Sequence, residues 1–185
     1  MKNKIIAFSG KAQSGKTETS KILKTIALDD DITVTIVSFA SALKKIATDY
    51  FGWDGDKEIY YNEDGSIVQD KGRQLLINIG QQFRAIRPTI WVDIAMDKIK
   101  KLDQENPENN IFLIDDLRFK NEANVINKIE NAAIVRVSRK EGALDIDDIS
   151  EKDLDDYDFE ENLKNNGTLK ELEEGVRELY NKIKQ

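Results

Sequence analysis

The segment Gly10–Thr17 constrains this chain more than any other stretch of its sequence. It reads Gly-Lys-Ala-Gln-Ser-Gly-Lys-Thr and fits the pattern G-x-x-x-x-G-K-[ST], which is typical of a phosphate-binding loop, or P-loop. The apolar run Ile5–Phe8 precedes it and a segment with helical spacing follows it. A P-loop requires this strand, loop and helix context, whereas the alternative, an ordinary Gly-rich turn, does not.

These residue types suit the binding of a nucleoside triphosphate. Glycines let the backbone N–H groups turn inward toward the phosphates, and the following helix adds the positive end of its dipole. We expect Lys16 to bridge the β- and γ-phosphates and the Thr17 hydroxyl to bind the Mg²⁺ of ATP. The predicted ATP-binding residues of the loop are Lys11, Ala12, Gln13, Ser14, Gly15, Lys16, Thr17 and Glu18.

Composition narrows the chemistry further. The 185 residues include no cysteine and no histidine, which excludes disulfides, thiolate nucleophiles, Ser-His-Asp hydrolases, Cys-based zinc sites and most transition-metal sites. The net charge of −7 argues against a nucleic-acid polymer as the ligand, since such ligands need a broad basic face. No apolar run approaches the length of a membrane span, and the N-terminus resembles no signal peptide, so we expect a cytoplasmic protein without a membrane partner.

The order of predicted elements indicates the fold class. Strand, P-loop, helix, strand, helical insert, acid-ended strand, helix, strand, lid, strand and helix predict an α/β, three-layer P-loop NTPase fold with a mainly parallel central sheet. We expect a single domain over 1–185, with an acceptor-binding insert at about 41–102 and a short lid and acidic loop at about 139–157. The main helices are predicted near 16–28, 73–86, 89–102, 121–129 and 168–183, and later strands near 33–39, 111–114, 133–137 and 159–163.

Local signals refine two helix starts and one strand end. Ser41 is a predicted cap for the second helix, and Thr168 with Glu171 forms a capping box for the last one. The apolar run 111–114 leads into Asp115 and Asp116, which predicts a carboxylate near the metal at the carboxyl edge of the sheet. Strand alternation would direct these two carboxylates to opposite faces.

Four blocks, spread over nearly the whole chain, resemble the phage-type deoxynucleoside monophosphate kinases, a P-loop nucleoside monophosphate kinase-like family. They are Ser9–Thr17, Arg73–Trp91, Asp116–Glu122 and Ser150–Leu169. The resemblance implies transfer of the γ-phosphoryl of ATP to a deoxynucleoside 5′-monophosphate, with Mg²⁺, giving the diphosphate and ADP. It also implies a viral origin and action in a bacterial cytoplasm.

The resemblance further implies an acceptor site. Its residues would be Lys44, Arg73, Gly80, Arg84, Trp91, Asp116, Arg118 and Glu122. Arg73 and Arg84 would hold the acceptor phosphate, because a guanidinium binds phosphate bidentately, and Trp91 would contact the base. The catalytic residues would be Lys16, Arg73, Asp116 and Arg118, with Asp115 as a magnesium contact and Arg139 closing over ATP.

Several alternatives stay open at the level of sequence. Lone arginines such as Arg84, Arg87 and Arg139 are often solvent-facing, and Trp91 at a helix start is often core. The acidic run 145–158 is predicted to be a solvated face, since it shows no metal-ligand spacing. Another small-molecule kinase, acting on dephospho-coenzyme A or a ribonucleoside monophosphate, is the first rival function, and a non-enzymatic nucleotide switch is the second. The base preference and a homodimer are left open.

Overall fold

The computed structural model describes residues 3–55, 60–68, 72–140 and 149–184. The strands are β1 (Lys4–Ser9), β2 (Thr33–Ile36), β3 (Tyr60–Tyr61), β4 (Ile67–Val68), β5 (Asn110–Leu117), β6 (Ala132–Ser138) and β7 (Glu161–Lys164). The helices are α1 (Lys16–Leu28), α2 (Ala40–Phe51), α3 (Gly72–Ile86), α4 (Ile90–Glu105), α5 (Lys120–Ile126), α6 (Ile149–Lys152) and α7 (Leu169–Ile183).

The main sheet has five strands in the order β2-β5-β1-β6-β7. Each neighbouring pair in it is parallel, so the carboxyl ends of the strands share one edge. The P-loop strand β1 lies at the centre, between β5 and β6. This arrangement confirms the predicted α/β class with a mainly parallel sheet, and it brings the ends of β1, β5 and β6 together where the P-loop begins.

Both faces of the sheet are buried, as a three-layer architecture requires. On one face, alternate strand residues such as Ile6, Phe8 and Leu113 form a core with residues of α1 and α7. These two helices also pack against each other. The opposite set is also buried, including Ala7 and Ile114, and α5 packs on β6. At about 25 cal/mol per Å² of apolar surface removed from water, this two-sided burial is the main source of stability for the sheet.

Most element predictions agree with the structure, with small shifts at the ends. Helix α1 has the predicted bounds, and β7 is an edge strand near the predicted position. The Thr168 hydroxyl accepts from the Glu171 backbone N–H, as the predicted capping box requires. The predicted Ser41 cap is wrong, because α2 already begins at Ala40 and Ser41 lies inside its first turn. Helix α6, in the acidic run, was not predicted.

The chain divides into two compact units, Met1–Ser38 with Asp97–Gln185, and Phe39–Met96. The second unit, 39–96, overlaps the range 41–102 of the predicted acceptor-binding insert, whose role stays a prediction. In it, α2 packs against α3, and β3 and β4 form a short antiparallel hairpin. Within the described residues, no helix is both long and apolar enough to cross a membrane.

Candidate nucleotide-binding site

The P-loop backbone adopts conformations that its glycines permit. Gly15 has a φ of +100°, and a Cβ there would collide with the side-chain amide of Asn165. A Cβ on Gly10 would collide with the Val137 carbonyl oxygen. Ser14 Oγ is buried in this loop. Among the described residues, it is the one buried side-chain nitrogen or oxygen atom that has no hydrogen-bond partner. The loop is therefore tightly enclosed and retains an unsatisfied polar group.

Lys16 lies over this loop and donates hydrogen bonds to its carbonyl groups. Its Nζ is 2.6 Å from the Gly10 oxygen and 2.9 Å from the Lys11 oxygen. Burial, together with the nearby charges of Arg118 and Arg136 and against the opposing effect of nearby carboxylates, lowers the pKa of Lys16 to about 8. The ammonium is therefore partly desolvated, and both basic and acidic side chains lie close enough to act on its charge.

The pairing of β5 with β1 is irregular at Asp115 and Asp116, near the carboxyl end of β5. Ala7 pairs with Ile114 and Ser9 with Leu117, so β5 has one residue more than β1 between these pairs. Such a β-bulge breaks strict alternation, and the sequence argument for opposite faces at Asp115 and Asp116 therefore does not hold.

The two carboxylates nevertheless have different neighbours. Asp116 Oδ2 accepts a hydrogen bond from Ser38 Oγ at 2.5 Å. The charge of Asp115 acts to raise the pKa of Lys16, which places Asp115 within electrostatic reach of the P-loop lysine. These contacts are compatible with a metal role for Asp115 and leave the substrate role of Asp116 as a prediction.

Glu122 fixes the backbone at the start of α5. Its Oε2 accepts hydrogen bonds from the backbone N–H groups of Arg118, at 2.9 Å, and Phe119, at 3.1 Å. The residue is only 2% exposed. The observed contacts therefore make Glu122 a positioning residue for Arg118, and the direct nucleotide contact implied by the family resemblance stays a prediction.

Arg136 is a site residue that the sequence analysis did not select. It pairs in register with Ser9 across β1 and β6, and its Nη1 donates to Ser9 Oγ at 3.0 Å. It also contributes to the lowered pKa of Lys16. A basic residue in the middle of the apolar strand Ala132–Ser138 was the available signal, because a charge at such a position needs a partner or a ligand.

The acidic segment, defined here as residues 149–158, is the described part of the acidic run 145–158 that was predicted to be a solvated face. Glu151 is 6% exposed; its Oε2 accepts from the Ala12 backbone N–H at 2.8 Å, and its Oε1 accepts from Arg118 Nη1. Asp155 forms ion pairs with Lys11 at 3.2 Å and with Arg136 at 3.0 Å. The predicted solvated face is therefore wrong for Glu151, whose partners lie at the P-loop, whereas Asp155, Asp156 and Asp158 are exposed as predicted.

Two further carboxylates attach the acidic segment to α5. Asp153 Oδ2 accepts from the Lys120 backbone N–H at 2.7 Å, and Asp156 forms an ion pair with Lys120 Nζ at 2.7 Å. Leu154 is 3% exposed and anchors the segment. Within the described residues no group of three or more metal-ligating side chains is found.

Three other residues of the predicted ATP site lie at the surface: Thr17, Glu18 and Arg139. Thr17 is exposed, and Glu18 pairs with Lys21 at 3.3 Å. Arg139 is exposed just beyond β6, so its role stays a prediction. The lid residues at 141–148 lie outside the described residues. The turn before α7, which was not selected from the sequence, contacts the loop, because Asn165 Nδ2 donates to the Ser14 oxygen at 3.0 Å.

The structure places the other predicted acceptor residues in the second unit. Lys44, Arg73 and Arg84 are half-buried there, and Gly80 gives room for close packing, since a Cβ would lie 3.1 Å from both Leu43 Cδ1 and Arg84 Nη1. These observations are compatible with the acceptor roles but do not test them.

Trp91 is part of the interior, with 2% of its surface exposed. Its Nε1 donates to the Gly80 oxygen at 3.3 Å, and its ring centroid lies 5.4 Å from that of Phe83. These contacts favour the core role that the sequence left open. Arg87, by contrast, is exposed and pairs with Asp93 at 2.6 Å.

The sequence matches no protein-family model and no curated protein. Among solved structures, one similar chain is a mutant of the APS kinase CysC of Mycobacterium tuberculosis. It is 9% identical, the alignment covers 97% of this chain and 98% of that chain, and the TM-score is 0.47.

Proposed function

We propose that this protein is a P-loop phosphotransferase that moves the γ-phosphoryl group of ATP to a deoxynucleoside 5′-monophosphate, giving the diphosphate and ADP. The observation that carries the proposal is the setting of Lys16. A partly desolvated ammonium lies over a P-loop, and the guanidinium groups of Arg118 and Arg136 act on its pKa. Such a cluster of cationic groups is what the charge of a transferring phosphoryl group requires.

The donor phosphates have identifiable protein partners. Lys16 would exchange its two loop carbonyl partners for phosphate oxygens, and the loop N–H groups would donate to the same phosphates. The unsatisfied hydroxyl of Ser14 agrees with a loop that is completed by a ligand.

The magnesium of the nucleotide has suitable ligands at this edge. The Thr17 hydroxyl and the Asp115 carboxylate supply the hard oxygen atoms that Mg²⁺ prefers. Bound there, Mg²⁺ would neutralise charge on the phosphates. Thr17 is the second residue of α1, and Asp115 follows the apolar residues of β5. A P-loop site is expected to bind Mg²⁺ through residues at these two positions.

The reaction would be an in-line transfer without a covalent enzyme intermediate. The acceptor phosphate is already largely a dianion near neutral pH, so no strong general base is needed. Lys16, Arg118 and Arg136 would offset the repulsion between the two anionic substrates, and Arg73 and Arg84 would hold the acceptor.

The choice of acceptor rests on the sequence blocks 73–91 and 116–122, through their resemblance to deoxynucleoside monophosphate kinases. Another small-molecule acceptor, such as dephospho-coenzyme A or a ribonucleoside monophosphate, would use the same donor site. A nucleotide switch would bind ATP with negligible turnover and would leave Arg73 without a role.

A panel of acceptors tests the proposal. ADP release from Mg-ATP is measured with the four common deoxynucleoside monophosphates, their ribonucleotide counterparts and dephospho-coenzyme A, with Lys16→Ala as the control. Turnover with at least one deoxynucleotide that is lost in Lys16→Ala supports the proposal and gives the base preference. Turnover with dephospho-coenzyme A or ribonucleotides alone transfers the function to the rival kinase, and ATP binding without turnover favours the switch.

A further inference from the structure

We propose that Glu151 and Asp155 form an internal competitor for phosphate: they bind cationic and N–H groups in and around the P-loop, and a triphosphate must displace them to bind there. The inference rests on the proposed ATP site. It concerns a property that the P-loop motif alone does not predict, because both carboxylates come from the acidic segment, more than a hundred residues later in the chain.

Glu151 occupies two groups that would otherwise serve an anionic ligand. One carboxylate oxygen accepts from the backbone N–H of Ala12, at 2.8 Å, inside the P-loop. The other accepts from the Arg118 guanidinium, whose charge also reaches Lys16. The Glu151 side chain is 3% exposed, so these bonds are formed away from bulk water, where charge-assisted hydrogen bonds are strongest.

Asp155 extends the same occupation to two more cations. One of its oxygens lies 3.2 Å from Lys11 Nζ, and the other lies 3.0 Å from Arg136 Nη2. Lys11 belongs to the P-loop, and Arg136 also donates to Ser9 at the end of the loop strand. The two carboxylates together therefore engage one loop amide and three basic side chains.

A triphosphate and these carboxylates cannot share the same donors. Both are anions, and in a partly desolvated site two unshielded negative charges a few ångströms apart repel each other strongly. The binding of ATP must therefore break at least the Glu151 contacts, and the cost of breaking them lowers the apparent affinity.

Other contacts can keep the acidic segment attached during the exchange. Asp153 and Asp156 bind Lys120 at the start of α5, and Leu154 is buried. None of these three residues contacts the P-loop through a hydrogen bond or ion pair in the described structure. Asp156 therefore offers a matched control: an acidic residue of the same segment, in an ion pair of similar length, whose partner lies outside the loop.

The alternative is that Glu151 is a structural brace that shapes the loop for ATP. The two roles predict opposite changes in affinity. Removal of a competitor tightens binding of the triphosphate, whereas removal of a brace loosens it. Glu151→Gln keeps the size and shape of the side chain and removes the charge, so it separates the two roles.

The experiment is isothermal titration of Mg-ATP and of inorganic tripolyphosphate into the full chain and its Glu151→Gln, Asp155→Asn and Asp156→Asn variants. We expect roughly tenfold tighter binding of both ligands to Glu151→Gln, as follows from the loss of one charge-assisted contact, and a smaller gain in Asp155→Asn. The Asp156→Asn variant should bind as the unchanged protein does. Unchanged or weaker binding in both Glu151→Gln and Asp155→Asn overturns the proposal.

Two controls separate this proposal from the proposed function and from misfolding. If the unchanged protein binds ATP no better than Lys16→Ala does, the proposed ATP site fails and the competitor fails with it. If ATP binding depends on Lys16 but not on Glu151 or Asp155, the competitor alone fails. Asp155 has a side chain that is 43% exposed, so Asp155→Asn provides a folded variant even where Glu151→Gln is destabilised.

Discussion

Arg118 and Glu151 are joined through a guanidinium nitrogen and a buried carboxylate, 33 residues apart in the chain. The pair links the end of β5 to the acidic segment. The backbone of Arg118 is fixed separately, by the carboxylate of Glu122. One arginine is thus held at its main chain by one buried acid and at its side chain by another, and its charge contributes to the lowered pKa of the P-loop lysine.

The first prediction concerns Glu122. Replacement by Gln removes the charge from a 2% exposed side chain that accepts two backbone hydrogen bonds. We expect the free energy of unfolding to fall by about 1–3 kcal/mol, as for other buried polar groups that lose a charged partner. Chemical denaturation measures the change. Glu173→Gln is the control, since the Glu173 side chain forms an exposed ion pair with Arg177 at 3.6 Å, and a loss of the same size there would refute the assignment.

The second prediction uses two glycines with nearly the same backbone angle. Gly15 has a φ of +100° and Gly55 a φ of +101°, but among the described residues a Cβ meets nothing within 4 Å at Gly55, whereas at Gly15 it collides with the Asn165 amide. Gly55→Ala should cost about 1–2 kcal/mol of unfolding free energy for the backbone strain alone.

Gly15→Ala should cost more and should also weaken the binding of ATP. The Asn165 amide cannot move aside without loss of its hydrogen bond to the Ser14 oxygen, which adds about 1 kcal/mol and disturbs the loop. Thermal unfolding and ATP titration of the two variants measure the difference. Equal effects of the two substitutions on both quantities would mean that the contact with Asn165 has no influence.

Much of the fold follows from local sequence, and the site follows from it only in part. The bounds of α1 were predictable because apolar spacing and the P-loop both define them, and Thr168 with Glu171 marks the start of α7 through a local signal. The β5 bulge at Asp115 and Asp116 has no such signal, because register depends on the neighbouring strand.

The burial of Glu151 within the acidic segment was not predictable for a related reason. The contact between Ala12 and Glu151 joins residues 139 positions apart, and no local pattern records such a pairing. A run of acids is usually solvated; here its partners are Lys11, Arg118 and Arg136, which gather only when the parallel strands are aligned. Arg136 was overlooked because the sequence analysis treated it as part of a strand.

The third prediction is a pH dependence of ATP affinity. Burial, with the charges of Arg118 and Arg136, lowers the pKa of Lys16 to about 8, and phosphate binding requires the protonated form. Above pH 8 the free protein must take up a proton to bind ATP, so affinity should fall about tenfold between pH 7 and pH 9. Isothermal titration in matched ionic strength measures this change.

A rise in pH has the opposite effect on the contribution of Lys16 to folding stability. The unfolded lysine keeps its proton up to its ordinary pKa of 10.5, whereas the folded one releases it near pH 8, so the unfolded state binds more protons in this window. The contribution of Lys16 to stability therefore increases from about pH 8 to 10.5.

Lys16→Arg is the control for the pH dependence of ATP affinity, because arginine stays charged throughout. A tenfold loss of ATP affinity in that variant as well would assign the titration to another group.

The fourth prediction tests the acceptor side through two arginines of the second unit. Arg73 is half-buried near the start of α3 and is proposed to hold the acceptor phosphate, whereas Arg87 is exposed and pairs with Asp93. Because a bidentate guanidinium contact to a phosphate contributes about 1.5–3 kcal/mol, Arg73→Ala should raise the KM for the acceptor by roughly tenfold to a hundredfold and leave the KM for ATP unchanged. Arg87→Ala should change neither, because its ion pair is a surface contact worth about 0–1 kcal/mol. Steady-state kinetics with the best acceptor measures both constants.

Arg73→Lys sharpens the test, since it keeps the charge but cannot form the bidentate contact, and we expect it to recover only part of the loss. A rise in the KM for ATP instead would place Arg73 on the donor phosphates, and equal effects of Arg73→Ala and Arg87→Ala would remove Arg73 from the acceptor site.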